Sequence, residues 1–427
     1  MYDGWASGQS KWQGLHLLAA AKLLLRRKDK MVTGDGSYIK KINRSLILQK
    51  IIEHGMISRA DLAKVVGLNK ATISVQVADL LDEELIFETQ QEHTAVGRRP
   101  IMLSLNRKAG FALGIDLDTK HITYTLSDLL GYPVLSKEVP LETSEYGSIL
   151  QLVIGQIKEF QLQCADSRYG MVGAVIGIHG TVAKDEKVFF VPQHQWRNKD
   201  LKADIENEID VDIHIENNAN LSAFAEKAFN HYDSENLLSI AMYSGMGLGI
   251  ILDGELLKGY NGYAGEMGHM IIFPGGKECT CGNRGCWELY ASEARMLQEI
   301  AALKNKQETS YAEIQKWVNE NDSEVCQYIE KFIEYLSIGL NNVINLYNPE
   351  TLVLNSEILK MLPDALDRIK GHLHSTFNQY RELRLSELGK DACVMGACAM
   401  AVKSFLEVPE LRLSLSEKHL PANSPNS

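Results

Sequence analysis

The feature that most constrains this chain is a group of metal-ligand side chains between positions 269 and 286. His269 is followed, after nine intervening residues, by a knuckle that carries three cysteines, Cys279, Cys281 and Cys286. Three thiolates and one imidazole complete the tetrahedral coordination of Zn²⁺, and a site with no open position is structural. We therefore expect a zinc ion that holds a loop and takes no part in chemistry. The alternatives are reduced cysteines without a metal and a His269 that only makes buried hydrogen bonds.

Size, composition and cysteine usage favour a globular protein of the cytoplasm. The chain has 427 residues, 45% hydrophobic and 23% charged, which is enough for two or three domains with cores. Seven scattered cysteines and no cleavable signal peptide favour a reducing compartment. The apolar run at 15–25 is about half as long as a bilayer span, so we expect no membrane anchor. Residues 1–35 are expected to be disordered or an upstream extension.

The net charge of −11 argues against an enzyme whose whole surface is basic and binds nucleic acid. The acidic excess is unevenly distributed, because residues 36–106 hold nine Lys/Arg against eight Asp/Glu. A near-neutral module beside an acidic body can still present a basic face to phosphates. This segment is therefore the candidate DNA-binding module.

Residues 36–106 begin with the punctuation of three short helices. The first is expected to end at Gly55, Ser58 to cap the second and Asn69 to cap the third. A tight turn between the last two helices is typical of the helix-turn-helix motif, whose second helix reads the DNA major groove. The side chains expected to reach base edges from the third helix are Lys70, Thr72, Ser74 and Gln76. A helical trio that binds another protein is the alternative.

Two strand-like runs, 85–87 and 101–103, follow these helices and predict a β-wing. The loop between them ends in Gly97-Arg98-Arg99-Pro100. Two guanidinium groups on an exposed tip suit the minor groove, where the negative potential is strong. The alternative is a solvated basic loop. Together with the helices, the wing predicts a winged helix-turn-helix over residues 36–106.

Beyond residue 106 the pattern changes to strands that alternate with helices, which predicts an α/β domain over 107–408 and a tail over 409–427. The strand-like runs are 111–117, 121–126, 134–141, 172–178 and 211–215, with an amphipathic helix at 149–160. The last run leads into Asn217 and Asn218 at the start of a helix. The apolar stretch 336–346 is expected to be a helix of the core or an interface.

From about residue 38 to residue 406 the sequence resembles the ROK family of repressors and sugar kinases. The resemblance rests on Glu266, Gly268, His269, the three cysteines and Glu288, which stand at the spacings of the family signature. Within the family the chain is most similar to xylose-responsive repressors of Gram-positive bacteria, through the cap at Asn69, the wing tip and the run that begins at Cys281.

This resemblance implies a two-lobed actin-like domain with a monosaccharide in the cleft, and a homodimer on a palindromic operator. By the same likeness, the sugar-binding residues are Gly180, Gln193, Asn217, Asn218, Glu266, His269 and Glu288. His269 would also bind the zinc ion.

Two positions depart from the kinases of the family. Asn218 stands where they have an aspartate that takes the proton of the attacking sugar hydroxyl, and an amide cannot act as that base. Asp118 stands where they have glycine beside the phosphates. We therefore expect a sugar-responsive transcriptional repressor with xylose as inducer, and not an enzyme. The alternatives are an ATP-dependent sugar kinase and a zinc knuckle that only binds proteins.

Overall fold

The structure is a computed structural model that describes residues 36–90 and 101–414. The chain divides into a short unit that ends at Arg44 and a large unit that begins at Ser45. The predicted extension 1–35, the wing residues Arg98 and Arg99, and residues 415–427 of the predicted tail lie outside the described residues. Within the described ranges, no helix has the length and apolar character to cross a membrane.

The amino-terminal part contains three helices and a small antiparallel sheet. The helices are Gly36–His54, Arg59–Val66 and Lys70–Asp82, and the strands are β1 (Ile57–Ser58), β2 (Ile86–Gln90) and β3 (Ile101–Leu105). Strand β3 lies between β1 and β2, and β2 and β3 form the two arms of the wing. This arrangement confirms the predicted winged helix-turn-helix.

Local side-chain bonds fix the boundaries of these helices. The Ser58 hydroxyl accepts from the Asp61 amide at 3.1 Å, and the Asn69 amide oxygen accepts from Thr72 N at 2.8 Å. Gly67 ends the second helix with φ of 75°, a conformation that side chains with a Cβ rarely adopt. The predicted caps are therefore confirmed.

The first lobe of the large domain is built on a five-stranded mixed sheet. Its strands are β4 (Phe111–Leu117), β5 (His121–Asp128), β6 (Pro133–Pro140), β7 (Met171–Ile178) and β11 (Ile213–Asn217), in the order β11-β7-β4-β5-β6. The helices Tyr146–Gln163 and Leu201–Glu206 supply side chains to its core. A smaller sheet follows β7, formed by β8 (Thr181–Val182), β9 (Val188–Val191) and β10 (Trp196–Lys199).

The second lobe also has a five-stranded sheet. Its strands are β12 (Leu237–Ala241), β13 (Gly247–Leu252), β14 (Glu255–Leu256), β15 (Thr351–Asn355) and β16 (Glu382–Leu385), in the order β14-β13-β12-β15-β16. Its helices are Glu288–Ala291, Glu293–Leu303, Tyr311–Asn319, Ser323–Tyr347, Glu357–Met361 and Ala365–His372. Leu336 and Leu340 of the predicted apolar stretch are fully buried, so this stretch belongs to the core.

Two helices connect the sheets of the lobes. Asn218–Ala225 packs on β12 and β13, whereas Ala392–Leu406 packs on β4, β7 and the first of these two helices. Their close approach depends on Gly396, where a Cβ would lie 1.9 Å from the Leu221 carbonyl oxygen. Any shift of the first helix must therefore be felt by the second.

The winged helix shares one hydrophobic core with the first lobe. Leu62 and Leu103 belong to the same buried cluster as Leu411 and Leu413, which follow the last helix. Polar contacts add to it: Ser45 Oγ donates to the Glu407 carbonyl oxygen. We call residues 407–413 the carboxyl strap, because this segment ties the two parts together.

Candidate functional site

The predicted metal ligands converge in space. Single ligand atoms of His269, Cys279, Cys281 and Cys286 all lie within 4.8 Å of one another. The Cys281 and Cys286 sulfurs are 3.6 Å apart, and so are Cys279 Sγ and His269 Nδ1. Tetrahedral zinc with Zn–S bonds of about 2.3 Å needs sulfurs about 3.8 Å apart, so this donor set fits the ion.

The backbone of the knuckle brings its ligands together through tight turns. Cys279 N donates to Asn283 O at 2.9 Å, and Gly282 N donates to Cys279 O at 3.0 Å. Gly285 has φ of 81°, and a Cβ there would lie 1.8 Å from Phe273 O. Only glycine allows this approach, so the knuckle closes without displacing the chain beneath it.

Trp287 anchors the knuckle to the core of the second lobe. Its ring is almost fully buried, and Nε1 donates to the Tyr335 carbonyl oxygen at 3.0 Å. A Cβ at Gly339 would lie 2.0 Å from that ring. The candidate metal ligands are thereby anchored, through Trp287, against the long helix Ser323–Tyr347.

His269 faces the metal cluster with one nitrogen and the cleft with the other. Its Nδ1 lies 3.3 Å from Glu288 Oε1, while Nε2 lies 3.9 Å from Glu266 Oε2. The hydrogen bond with Glu288 raises the pKa of His269 to about 9. A bound cation would oppose this shift, because metal coordination requires the neutral ring. The Nε2 atom and both carboxylates are arranged to meet a polar ligand, as the resemblance implies.

The carboxylates of this group differ in their protonation equilibria. Burial raises the pKa of Glu266, and the neighbouring Glu288 charge adds to that shift. Burial also opposes ionisation of Glu288, but the hydrogen bonds with His269 and Cys279 and the positive charges of His269 and Arg295 together outweigh burial and leave its pKa below the usual value. A carboxylate that stays ionised beside the histidine can accept hydrogen bonds from hydroxyl groups.

Asn217 caps the helix that faces the cleft. Its Oδ1 accepts from Ala219 N at 2.8 Å and from Asn220 N at 3.2 Å, and its Nδ2 donates to Gly180 O at 2.9 Å. The side chain therefore shapes the site by tethering Gly180 to the helix start. At Gly180, a Cβ would lie 2.4 Å from Phe190 O, which explains the glycine.

A buried carboxylate supports this helix start from below. Glu216 Oε1 accepts from Asn217 N at 2.8 Å and from Asn220 Nδ2 at 3.0 Å. Its Oε2 is 2.5 Å from Nζ of Lys258, which follows β14 in the second lobe. The pair crosses the cleft and was not foreseen, because no local pattern relates the two residues.

Further contacts join the two lobes at the mouth of the cleft. Lys184 N donates to Asn261 O at 3.1 Å, and Thr181 Oγ1 lies 3.5 Å from Glu266 Oε1. Gln193 is exposed between β9 and β10. Gly180 and Asn217 are thus in direct contact, as are Glu266, His269 and Glu288, whereas Gln193 makes no described bond to either group.

Asn218, at the position of the missing base, faces a histidine that the sequence interpretation overlooked. Its Nδ2 lies 3.4 Å from His179 Nδ1. His179 Nε2 in turn lies 2.8 Å from Asp116 Oδ1, and Nδ1 lies 3.4 Å from Asp118 Oδ1. A signal was present, since His179 directly precedes Gly180, but its carboxylate partners are some 60 residues away.

The exposed face of the helix Lys70–Asp82 differs in part from the expectation. Lys70 and Ser74 are exposed and Thr72 is partly buried, but Gln76 is only 4% exposed and cannot reach a base edge. The error lies in the spacing, because residues two apart point to opposite sides of a helix. The missed members of the exposed face are Ala71, Val75 (56% exposed) and Ala78.

Comparisons with known proteins agree with this architecture. The sequence profile of the ROK family matches residues 112–404. The xylose repressor of Bacillus subtilis strain 168 is 37% identical over 386 residues, with 88% of this chain and 99% of that protein covered. The N-acetylglucosamine repressor of Escherichia coli O6:H1 is 26% identical, with 87% and 95% covered.

Solved structures extend the likeness to three dimensions. A ROK family transcriptional regulator, homologous to the Escherichia coli MLC protein, superposes with a TM-score of 0.74 at 29% identity, covering 86% of this chain and 97% of that chain. A ROK glucokinase of Streptomyces griseus superposes with a TM-score of 0.58 at 24% identity, covering 68% and 99%, and supports the fold alone. The profile match and the identity to the Bacillus repressor agree, and this chain belongs to the ROK family.

Proposed function

We propose that this chain is a sugar-responsive transcriptional repressor that binds a palindromic operator as a homodimer and is released by xylose. The observation that carries the proposal is the amide of Asn218 at the start of a cleft helix, in a chain that also has a winged helix. The cleft can recognise a sugar but has no carboxylate at the place of the base. Proteins named xylose repressors are among its relatives, and the similarity covers almost their full length.

The kinase alternative requires a proton acceptor and room for phosphate groups. Asn218 supplies no acceptor of the necessary basicity. Asp118 brings a negative charge to the phosphate position, where its pKa is below the usual value because His179 and Thr119 outweigh its burial. Phosphates and an ionised aspartate repel each other. We therefore expect no nucleotide turnover with any monosaccharide.

Operator recognition is assigned to the exposed face of the helix Lys70–Asp82. Lys70 and Ser74 supply polar contacts, and Val75 with Ala71 supplies apolar contact of the kind that thymine methyl groups accept. The predicted wing residues Arg98 and Arg99 are assigned to phosphates and the minor groove. Changing both arginines to alanine should lower the salt dependence of binding by about two phosphate contacts.

Zinc is assigned a structural role in this proposal. His269, Cys279, Cys281 and Cys286 would occupy all four coordination positions, so the ion supplies rigidity and no reactive water. Because His269 also faces Glu266 with its other nitrogen, the ion would fix the tautomer and direction of a sugar-binding ring.

Release from DNA requires that xylose binds two states of the protein with different affinities. The route we assign runs from Asn218 along its helix to Gly396, and then through the carboxyl strap to the winged helix. Arg412 in the strap lies 3.7 Å from Glu53 of the first helix and 3.3 Å from Asp233 of the large domain. Together with the bond from Ser45 to Glu407, it is a polar contact at which the route enters the winged helix.

The test begins with selection of operator duplexes from a random pool, followed by fluorescence anisotropy with and without xylose. We expect a palindromic site, a dimer on it, and weaker binding when xylose is present. Equal xylose affinity of the free and operator-bound protein would refute the inducer assignment, and ADP release with ATP and xylose would revive the kinase.

Arg412→Ala then tests the route. Typical coupling free energies are about 1 to 3 kcal/mol, and we expect the ratio of xylose affinities with and without operator to fall at least about threefold. Arg384→Ala is the control, because Arg384 is exposed and contacts Glu382 of its own strand. Unchanged coupling in the Arg412 variant would exclude the strap as the route.

A further inference from the structure

His179 lies at the end of β7, where both lobes meet the start of the helix Asn218–Ala225. Its contacts come from three directions: Asp116 and Asp118 from the first lobe, Asn218 from the helix, and Ser244 from the loop after β12. The same loop reaches the metal side of the cleft, since a Cβ at Gly245 would lie 3.5 Å from Glu288 Oε2. The imidazole therefore borders the proposed sugar site at the end away from the zinc cluster.

The two ring nitrogens are bound unequally. Nε2 is 2.8 Å from Asp116 Oδ1, a short hydrogen bond. Nδ1 has only long contacts, at 3.3 Å to Ser244 Oγ, 3.4 Å to Asp118 Oδ1 and 3.4 Å to Asn218 Nδ2. That Asp118 oxygen already accepts from the Thr119 amide at 2.7 Å. One nitrogen thus fixes the ring, and the other lacks a short partner among the described residues.

The charges around the ring hold it in the cationic form. Although its burial favours the neutral ring, Asp116 and Asp118 raise the pKa of His179 to about 9. His194, on the segment before β10, also interacts with the ring. The two aspartates have further titratable neighbours: His121 acts on Asp118, and Cys393, at the start of the last helix, has its pKa raised by burial and by both aspartates. At neutral pH both ring nitrogens therefore donate.

Two donors then face each other at the position of the missing base. Nδ1–H of His179 and the Asn218 amide group are 3.4 Å apart. A hydroxyl oxygen that lies to one side of this pair, at hydrogen-bond distance from both nitrogens, can accept from both. A hydrogen bond from a charged donor is the stronger kind. The two aspartates make the surroundings negative overall, so a neutral hydroxyl is favoured over a phosphate or carboxylate group.

We propose that His179 is a sugar-binding residue, whose Nδ1–H donates to the hydroxyl of a neutral monosaccharide that lies beside Asn218. This assignment rests on the proposed sugar-responsive function and adds a ligand-binding residue to it. At this end of the cleft, where the kinases of the family bind phosphate groups, the histidine would instead bind a sugar hydroxyl.

Calorimetric titration of the full chain with D-xylose tests the assignment. His179→Ala should weaken xylose binding about 10- to 100-fold, the effect of one hydrogen bond from a charged group, and His179→Gln should fall between that variant and the natural protein. His231→Gln is the matched control, since His231 also lies between two carboxylates, Glu226 and Glu382. It should bind xylose as the unchanged protein does.

The four monodeoxy derivatives of xylose separate a direct contact from a structural role. The free-energy costs of His179→Ala and of one missing hydroxyl should be non-additive for the derivative that lacks the bonded hydroxyl, because both changes remove the same hydrogen bond. For the other three derivatives the two costs should be additive. Additivity for all derivatives, or an unchanged xylose affinity in His179→Ala, would overturn the assignment. If the unchanged protein binds xylose but operator affinity does not respond, the proposed function fails and this contact does not.

Discussion

The ion pair between Lys258 and Glu216 allows a quantitative test of how the cleft is held together. The Glu216 side chain is only 4% exposed, and that of Lys258 is 35% exposed. Removing one partner of a buried pair costs about 3 to 5 kcal/mol, because the remaining charge is left without compensation. Lys258 is partly solvated and Glu216 keeps two amide donors, so we expect Lys258→Met to lower the free energy of unfolding by about 2 to 3 kcal/mol.

The double variant Lys258→Met with Glu216→Gln should recover most of that loss. The glutamine oxygen can still accept from Asn217 N and Asn220 Nδ2, and no buried charge remains. Urea unfolding followed by circular dichroism measures the free energy of unfolding of Lys258→Met, of the double variant and of a control variant. Lys202→Met is the control, because its partner Glu186 is more exposed and the pair should contribute less than about 1 kcal/mol.

Xylose affinity provides a second measurement on the same proteins. Since Glu216 fixes the start of the cleft helix, Lys258→Met should weaken xylose binding, and the double variant should regain part of it. A Lys258→Met protein as stable as the unchanged chain, or a double variant no more stable than the single one, would refute the reasoning. The ion pair would then be a surface contact without consequence for the cleft.

Three further outcomes are expected. Cys281→Ser should lower the zinc content measured by a colorimetric chelator, and it should weaken xylose binding more than operator binding. Cys326→Ser, outside the cluster, should change neither the zinc content nor xylose binding. Full xylose affinity after zinc removal would contradict this coupling. Gln76→Ala should lower the melting temperature, because the side chain is buried. Ser74→Ala should weaken operator binding without a change in melting temperature. The reverse pattern would restore Gln76 as a residue that contacts DNA bases. Because the pKa of His179 is raised in the fold, the stability that its charge contributes should be fully present below about pH 6.5 and should be lost as pH rises through about 9. If His179→Gln has the same dependence of stability on pH, His179 is not its cause.

The cluster of one histidine and three cysteines and the helix caps could be predicted because their determinants are local. Four candidate ligands of two types, histidine and cysteine, lie within 18 positions, and their spacing carries the geometry of the cluster. A serine or asparagine just before an apolar repeat does the same for a helix start. The strands of the first lobe were found for the same reason, since β4 begins and ends at the predicted residues. Local patterns therefore predicted the α/β pattern and the four side chains that converge into a candidate metal site, whereas the two-lobed fold was implied by the family resemblance.

The error at Gln76 has a different origin. Choosing every second residue on the helix Lys70–Asp82 applied the repeat of a strand to a helix, so a buried side chain was assigned to DNA. Ala71 and Val75 were missed because small and apolar residues carry no polar signal. Helical spacing from Ser74 would have identified Ala71, three residues before it, and spacing from Ala71 would have identified Val75, four residues after it.

The contacts across the cleft could not be predicted from sequence spacing. His179 meets Asp116 because β7 lies beside β4 in one sheet, whereas His179 meets Ser244, and Glu216 meets Lys258, only because two separate sheets are brought together. Pairings of this kind depend on the packing of glycines such as Gly396, which a single sequence does not relate to a partner. The site needed the structure for its completion.

The carboxyl strap has a consequence for how such a protein can be recombined. Leu411 and Leu413 fill a core to which Leu62 and Leu103 also contribute, so the winged helix is not an independent domain on a flexible linker. A chimaera that exchanged residues 36–106 alone would leave an unmatched cavity and a stranded arginine. Grafting this winged helix onto a different sensor requires that positions 407–413, which follow the large domain in the sequence, are transferred with it.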